Sequence, residues 1–177
     1  MPVYNVGDTV VHWSYGSGRI VAVDDKGIPG EPSFYYVIEG NEQTLWVPVD
    51  ENGRSSLHLP TSRADFKLLI NILRSQGEGM SNNPYQRRDQ LEGRMQKASP
   101  KELCLVIRDL TYRSHRGELS SSDTRVLKHA QSCLLDEWEQ SLGTPREQAR
   151  REMEWALNET PVRKKTFKPH RPRDHSD

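Results

Sequence analysis

The chain has 177 residues, 33% of them hydrophobic and 28% charged, with 25 Lys and Arg balancing 25 Asp and Glu. A mean hydropathy of −0.84 argues against one large core and fits one or two small modules with a polar remainder. The longest apolar run, Leu103 to Ile107, falls far short of the roughly 20 residues of a membrane helix. No apolar stretch follows the start as in a signal peptide. Cys104 and Cys133 alone make neither a disulfide framework nor a zinc site. This composition predicts a soluble, cytoplasmic protein.

The zero net charge conceals a pattern. Residues 1–60 carry −5, residues 81–128 carry +4, residues 129–160 carry −4 and residues 161–177 carry +4. Charges further apart than about 8–10 Å are largely screened in saline, so a partner meets these segments one at a time.

Up to about residue 60 the chain reads as short strands. Thr9 to Trp13, Ile20 to Val23, Phe34 to Ile38 and Thr44 to Val49 are β-branched or aromatic runs separated by Gly, Pro and Asn turns. This spacing predicts a small antiparallel barrel or curled sheet. Gly16-Ser17-Gly18 reads as a tight hairpin turn; it lacks the following helix of a phosphate cradle. Asp24 and Asp25 read as solvent-facing turn residues, and Pro48 places the fourth run at an edge or a bulge. In the β module Phe34, Tyr36 and Trp46 could serve as core or as an exposed docking face.

After Pro60 the apolar period changes to about 3.6. Phe66, Leu69, Ile70 and Leu73 mark a first helix with Ser62 as its N-cap, and residues 76–83 form a loop. A second helix starts near Pro84-Tyr85 and passes through Leu91 and Met95. Ser99-Pro100-Lys101-Glu102 reads as a capping box opening a third, ended by Gly117. A fourth runs from about Ser121 to Leu142 and stops at Gly143. Thr144-Pro145-Arg146-Glu147 reads as a second capping box, opening a fifth helix through Met153, Trp155 and Leu157. From Pro161 onward the basic, proline-containing sequence predicts a disordered tail. The expected class is α+β: a β module over 1–60, a helical module over 61–160 and a basic tail over 161–177.

No catalytic motif is present, and the six histidines show no metal-ligand pairing with one another or with carboxylates. The chain is therefore expected to be no enzyme and to hold no metal or cofactor. The feature that points to chemistry is Tyr85-Gln86-Arg87-Arg88, an aromatic with two arginines at a loop-to-helix junction. Guanidinium groups there can hold phosphates while the ring meets a base step; packing of Tyr85 on its own helix is the alternative. Arg94, Lys97, Lys101, Arg108, Arg113, Arg116 and Arg125 extend the positive region over two or three helices.

Residues 6–20, VGDTVVHWSYGSGRI, resemble the opening signature of the CarD/CdnL family of bacterial transcription regulators. Val47-Pro48-Val49 resembles that family's last barrel strand, and Tyr85-Gln86-Arg87-Arg88 falls where the family has Trp-x-Arg-Arg. Val106-Ile107-Arg108-Asp109-Leu110, with Leu119-Ser120, is similar to its Arg-Asp-Leu helix and the start of the next. The resemblance covers about residues 3–158. It implies a Tudor/SH3-like barrel that docks on the β subunit of RNA polymerase, with Lys26, Trp46, Val47 and Pro48 at the contact. It also implies a compact helical domain that contacts promoter DNA at the upstream edge of the melted region. There the contact is largely independent of sequence and made by Tyr85, Arg87, Arg88 and Arg125. Such a protein would be a monomer associated with the nucleoid through polymerase, stabilising the open complex. An adaptor that binds polymerase or another protein without touching DNA is the second reading.

Overall fold

In a computed structural model, residues 3–159 are described, apart from 13, 26–33, 41–42, 51, 54 and 98. The expected tail and Lys26 lie outside the described residues. Five strands come first: β1 (Thr9–His12), β2 (Gly16–Asp24), β3 (Phe34–Gly40), β4 (Thr44–Val49) and β5 (Leu57–His58). Five helices follow: α1 (Arg63–Arg74), α2 (Pro84–Met95), α3 (Pro100–Ser114), α4 (Ser121–Leu142) and α5 (Arg146–Asn158). The α+β class holds. Among the described residues, no helix is long and apolar enough to cross a membrane.

The strands form one antiparallel sheet in the order β4-β3-β2-β1-β5, curled into a half-barrel with β4 and β5 as its edges. Pro48 therefore sits on an edge strand, where its missing N–H costs no ladder bond in the sheet interior. A bulge at Val21 puts Ile20 opposite Ile38 and Val23 opposite Tyr36. Ile20 and Val23 thus share the inner face although they are three residues apart. Val10, Ile20, Tyr36, Ile38, Val47, Val49 and Leu57 fill that face. The Tyr36 hydroxyl oxygen accepts from the backbone N–H of Val3 (2.7 Å) and Tyr4 (3.0 Å), fastening the N-terminal segment over the sheet.

Three local expectations are corrected. Gly16-Ser17-Gly18 is not the turn but the start of β2, with His12 paired to Gly16 and Val10 to Gly18. Ser99 opens α3 without a side-chain cap bond, so the expected capping box there is absent. The fifth helix begins at Arg146 with Pro145 at the cap position, so Thr144 makes no box either. Ser62, by contrast, caps α1 through the N–H of Asp65, and Gly143 ends α4 at φ +67°.

The helices share a second core, in which Phe66 of α1 meets Trp138 of α4 edge-on at 4.9 Å. The two modules meet along α4. Gly16 lies at φ +78°, and a Cβ there would come within 2.5 Å of Asp136 Oδ2, so only glycine lets β2 and α4 approach this closely. Asp136 is held by Arg146, which also binds Glu139 at 3.0 Å. One turn face away, Glu137 is 1% exposed, and its carboxylate accepts from the Thr61 N–H at 2.6 Å and from His58 Nε2 at 3.0 Å. A carboxylate of the helical module is thereby satisfied by the end of the β module and the linker.

Burial alone would raise the Glu137 carboxyl, but the hydrogen bonds from His58 and Thr61 outweigh it and hold it below the usual glutamate value. A depressed carboxyl stabilises the fold above its ordinary pKa of about 4.3, and that contribution is lost as pH falls through the lower folded value. Removing a buried acceptor leaves its hydrogen-bond donors unsatisfied, at about 1–3 kcal/mol. Glu137→Ala is expected to lower stability by that order at pH 7 in urea unfolding. Between pH 5 and 3 the wild-type protein should lose the advantage that Glu137→Gln never has.

Candidate nucleic-acid interface

Tyr85 stands in the first turn of α2, and its position is set from both sides. Asn83 Oδ1 accepts from the N–H of Tyr85 (2.9 Å) and of Gln86 (3.3 Å), with Pro84 at the first helical position. This is a favourable helix start. Upstream, the loop over residues 75–83 is tied to the helices by buried charge. The Glu78 N–H donates to Asp109 Oδ1 at 2.8 Å, and Arg108 Nη1 donates to Ser75 Oγ at 2.9 Å.

Arg87, expected to hold a phosphate, does something else. It is 4% exposed, and its Nε donates to Asp123 Oδ2 at 3.0 Å and Oδ1 at 3.1 Å. Its Nη1 donates to the carbonyls of Ser81 (2.8 Å) and Asn82 (3.3 Å). One guanidinium thus joins α2, the N-terminal turn of α4 and the loop before Tyr85. Burial would raise the Asp123 carboxyl, yet hydrogen bonds from Arg87 and Ser120 outweigh it and keep it below the usual aspartate value. Arg87 is a positioning residue in this geometry.

The remaining residues divide. Tyr85 is 81% exposed, so it is no staple packed on its own helix. Arg88 is exposed and pairs with the exposed Glu92, at 2.7 Å. Arg125 is exposed on α4, beside an apolar cleft of about 410 Å³ between α2 and α4 lined by Leu91, Met95 and Val126. The wider positive region is much reduced. Arg94 and Arg108 are both spent on Asp109, which is fully buried, and Lys97 pairs with Glu102.

The predicted polymerase contacts also divide. Trp46 is 43% exposed, in line with the exposed reading and against the core reading, and Pro48 is exposed beside it on the edge strand β4. Val47 points into the core of the half-barrel. Phe34 is half-exposed, whereas Tyr36 is fully buried.

Sequence reasoning missed the three buried carboxylates that organise these surfaces, Asp109, Asp123 and Glu137. The available signal was an Arg-Asp pair inside the apolar run 103–110 and acids on otherwise apolar helix faces. Cys104 is wholly buried, with its thiol pushed up chiefly by burial, and is a core residue as expected.

The described residues form a curled sheet joined to a five-helix module with an exposed aromatic at a clamped helix start. Comparison with known proteins makes this specific. Residues 4–59 match the CarD-like/TRCF RID domain, and residues 68–154 match the CarD C-terminal domain. YdeB of Bacillus subtilis (strain 168), proposed to be a transcription factor, is 25% identical over 140 residues, covering 77% of this chain and 91% of YdeB. The chain belongs to the CarD-like family of transcription factors.

The Arg87–Asp123 pair generates a direct expectation. Arg87→Ala and Asp123→Ala should each destabilise the protein by about 3–5 kcal/mol, because each leaves a buried charge without its partner. The double variant should cost well under the sum. Tyr85→Ala, at an exposed site, should leave the melting temperature within about 2 °C, since surface changes stay within about 0.5 kcal/mol. Thermal and urea unfolding of the four variants checks all of this.

Proposed function

We propose that the protein docks on the β subunit of bacterial RNA polymerase through its β module and stabilises the promoter open complex by placing Tyr85 at the upstream edge of the bubble. The observation that carries this reading is Tyr85 itself, an aromatic ring 81% exposed on a helix start that is capped and clamped. Tyrosine is among the residue types enriched at contact hot spots, and a ring held on a fixed helix start loses little freedom on binding.

The physics requires a difference between promoter states. Inserting a ring between base steps costs a few kcal/mol of unstacking, and that cost is already met where the duplex is melting. A ring that stacks only on the distorted junction lowers the free energy of the open state and leaves the closed state alone. A factor that bound both equally would shift nothing. The Tyr85 hydroxyl suits a site that stays partly wet at the groove edge. Arg88 and Arg125 supply phosphate contacts, and Arg87 serves by fixing the helix.

On the other module, the half-exposed Trp46 and the neighbouring Pro48 lie on β4 at the edge of the sheet. An edge strand can add to a partner's sheet, with backbone bonds giving affinity and an aromatic anchor giving specificity. The RID match over residues 4–59 supports the β module as the part that meets polymerase, and β4 and Lys26 both lie within it. Sequence-independent binding follows from a contact made of a ring and phosphate-directed arginines, with no base-edge code.

The test is the lifetime of an open complex formed with the cognate polymerase. The protein should lengthen it. Tyr85→Ala should remove about 1–3 kcal/mol of stacking, equal to at least about fivefold in lifetime, while polymerase binding is kept. Trp46→Ala should weaken polymerase binding by about 2 kcal/mol, as for an interface anchor. An unchanged lifetime for Tyr85→Ala, with polymerase still bound, would leave the adaptor reading in its place.

A further inference from the structure

Seven arginines of the helical module pair with carboxylates, Arg74, Arg87, Arg88, Arg94, Arg108, Arg146 and Arg150, whereas Arg63 donates to the Leu142 carbonyl and Arg125 and Arg151 are exposed. Arg113 and Arg116 are different. They flank the C-terminal end of α3, and among the described residues neither has a carboxylate within ion-pair distance. The Arg113 Nε–H is buried without a hydrogen-bond partner, and its Nη1 donates only a long bond, 3.3 Å, to Asn82 Oδ1. The Arg116 guanidinium sits over the Tyr112 ring, with Cζ 4.9 Å from its centroid. That contact orients the guanidinium without satisfying its donors.

Both side chains line a polar cleft of about 490 Å³ between the end of α3 and the loop before α2. Gly117 opens one wall, where even an added Cβ would touch nothing within 4 Å. Two glutamates also line the cleft. Glu78 lies 3.3 Å from Arg108 Nη2, which offsets its charge, and Glu118 is exposed to solvent. A buried N–H without a partner beside a second uncommitted guanidinium calls for an anion with several acceptor oxygens.

We propose that this cleft binds one phosphodiester group of the DNA strand whose base step Tyr85 meets, with Arg113 and Arg116 as its ligands. The inference rests on the reading of Tyr85 given above. Asn82, which lines the cleft, is three residues from Tyr85, so the two backbones lie within about 11 Å. Phosphates recur every 3.4 Å of axis along one strand, so a phosphate in the cleft and a base at Tyr85 belong to the same few nucleotides. The contact fixes register and carries no sequence information.

Binding of the full chain to a forked duplex and to a closed duplex of the same sequence, followed by fluorescence anisotropy from 20 to 200 mM salt, tests it. Arg113→Gln/Arg116→Gln should make the slope of log K against log salt shallower by about 0.9, the value for one phosphate. Tyr85→Ala should keep the slope and lose the preference for the fork. Should the double variant fail to fold, Arg116→Gln, whose side chain rests only on a ring, should still make the slope shallower. An unchanged slope with the fork preference intact overturns the cleft and leaves the Tyr85 reading standing. A shallower slope with no effect of Tyr85→Ala keeps the cleft and removes the wedge. No binding of wild-type protein to either DNA at 20 mM salt overturns both.

Discussion

The ion pair between Arg87 and Asp123 is the constraint on which the proposed DNA-contacting surface depends. Its two side chains are 4% and 5% exposed, and it spans 36 positions of sequence. Desolvating such a pair is expensive, and its return is geometry. The guanidinium uses its fixed fork to hold an aspartate on α4 and two carbonyls of the preceding loop at once. Lysine, with one point charge on a flexible stem, could not do this. The first turn of α2 is thereby immobilised, and Tyr85 stands out from it with few degrees of freedom left to lose on binding.

The same device appears twice more. Asp109, wholly buried, gathers Arg94 of α2, Arg108 of α3 and the Glu78 N–H of the loop. Glu137 gathers His58 of the β module and the Thr61 N–H of the linker. A chain only one-third hydrophobic supplements its two small cores with buried carboxylates whose lone pairs are filled from several elements. The Glu137 contact and the close approach of Gly16 to Asp136 set the angle between modules. In the proposed function that angle matters, because a protein held at polymerase by its sheet edge must deliver its ring to a fixed point on the DNA.

Much of this fold was legible in the sequence because its signals are local. The bounds of α2 and α4 follow from Pro84, Ser121 and Gly143, and four strands follow from their β-branched runs. What escaped depended on partners far along the chain. β5 has only two residues and exists through pairing with β1. The glycines at 16 and 18 look like a turn, yet Gly16 is there to admit Asp136, and a Cβ on Gly18 would strike Ile38. Of the candidate site, the sequence conveyed residue types and not exposure: Tyr85 and Trp46 are exposed, whereas Arg87, which reads identically to Arg88 in sequence, is buried. Only the position of Asp123 on a helix 36 residues away separates the buried arginine from the exposed one.

The most direct test of the account is where residue 85 lies in the working complex. A photoreactive phenylalanine analogue placed at position 85 would be irradiated in a complex of this protein, cognate polymerase and promoter. The account predicts cross-links to the DNA strands at the upstream edge of the bubble, present in the open complex and lost when melting is blocked. Cross-links to polymerase alone, or equal cross-linking to open and closed promoters, would contradict it.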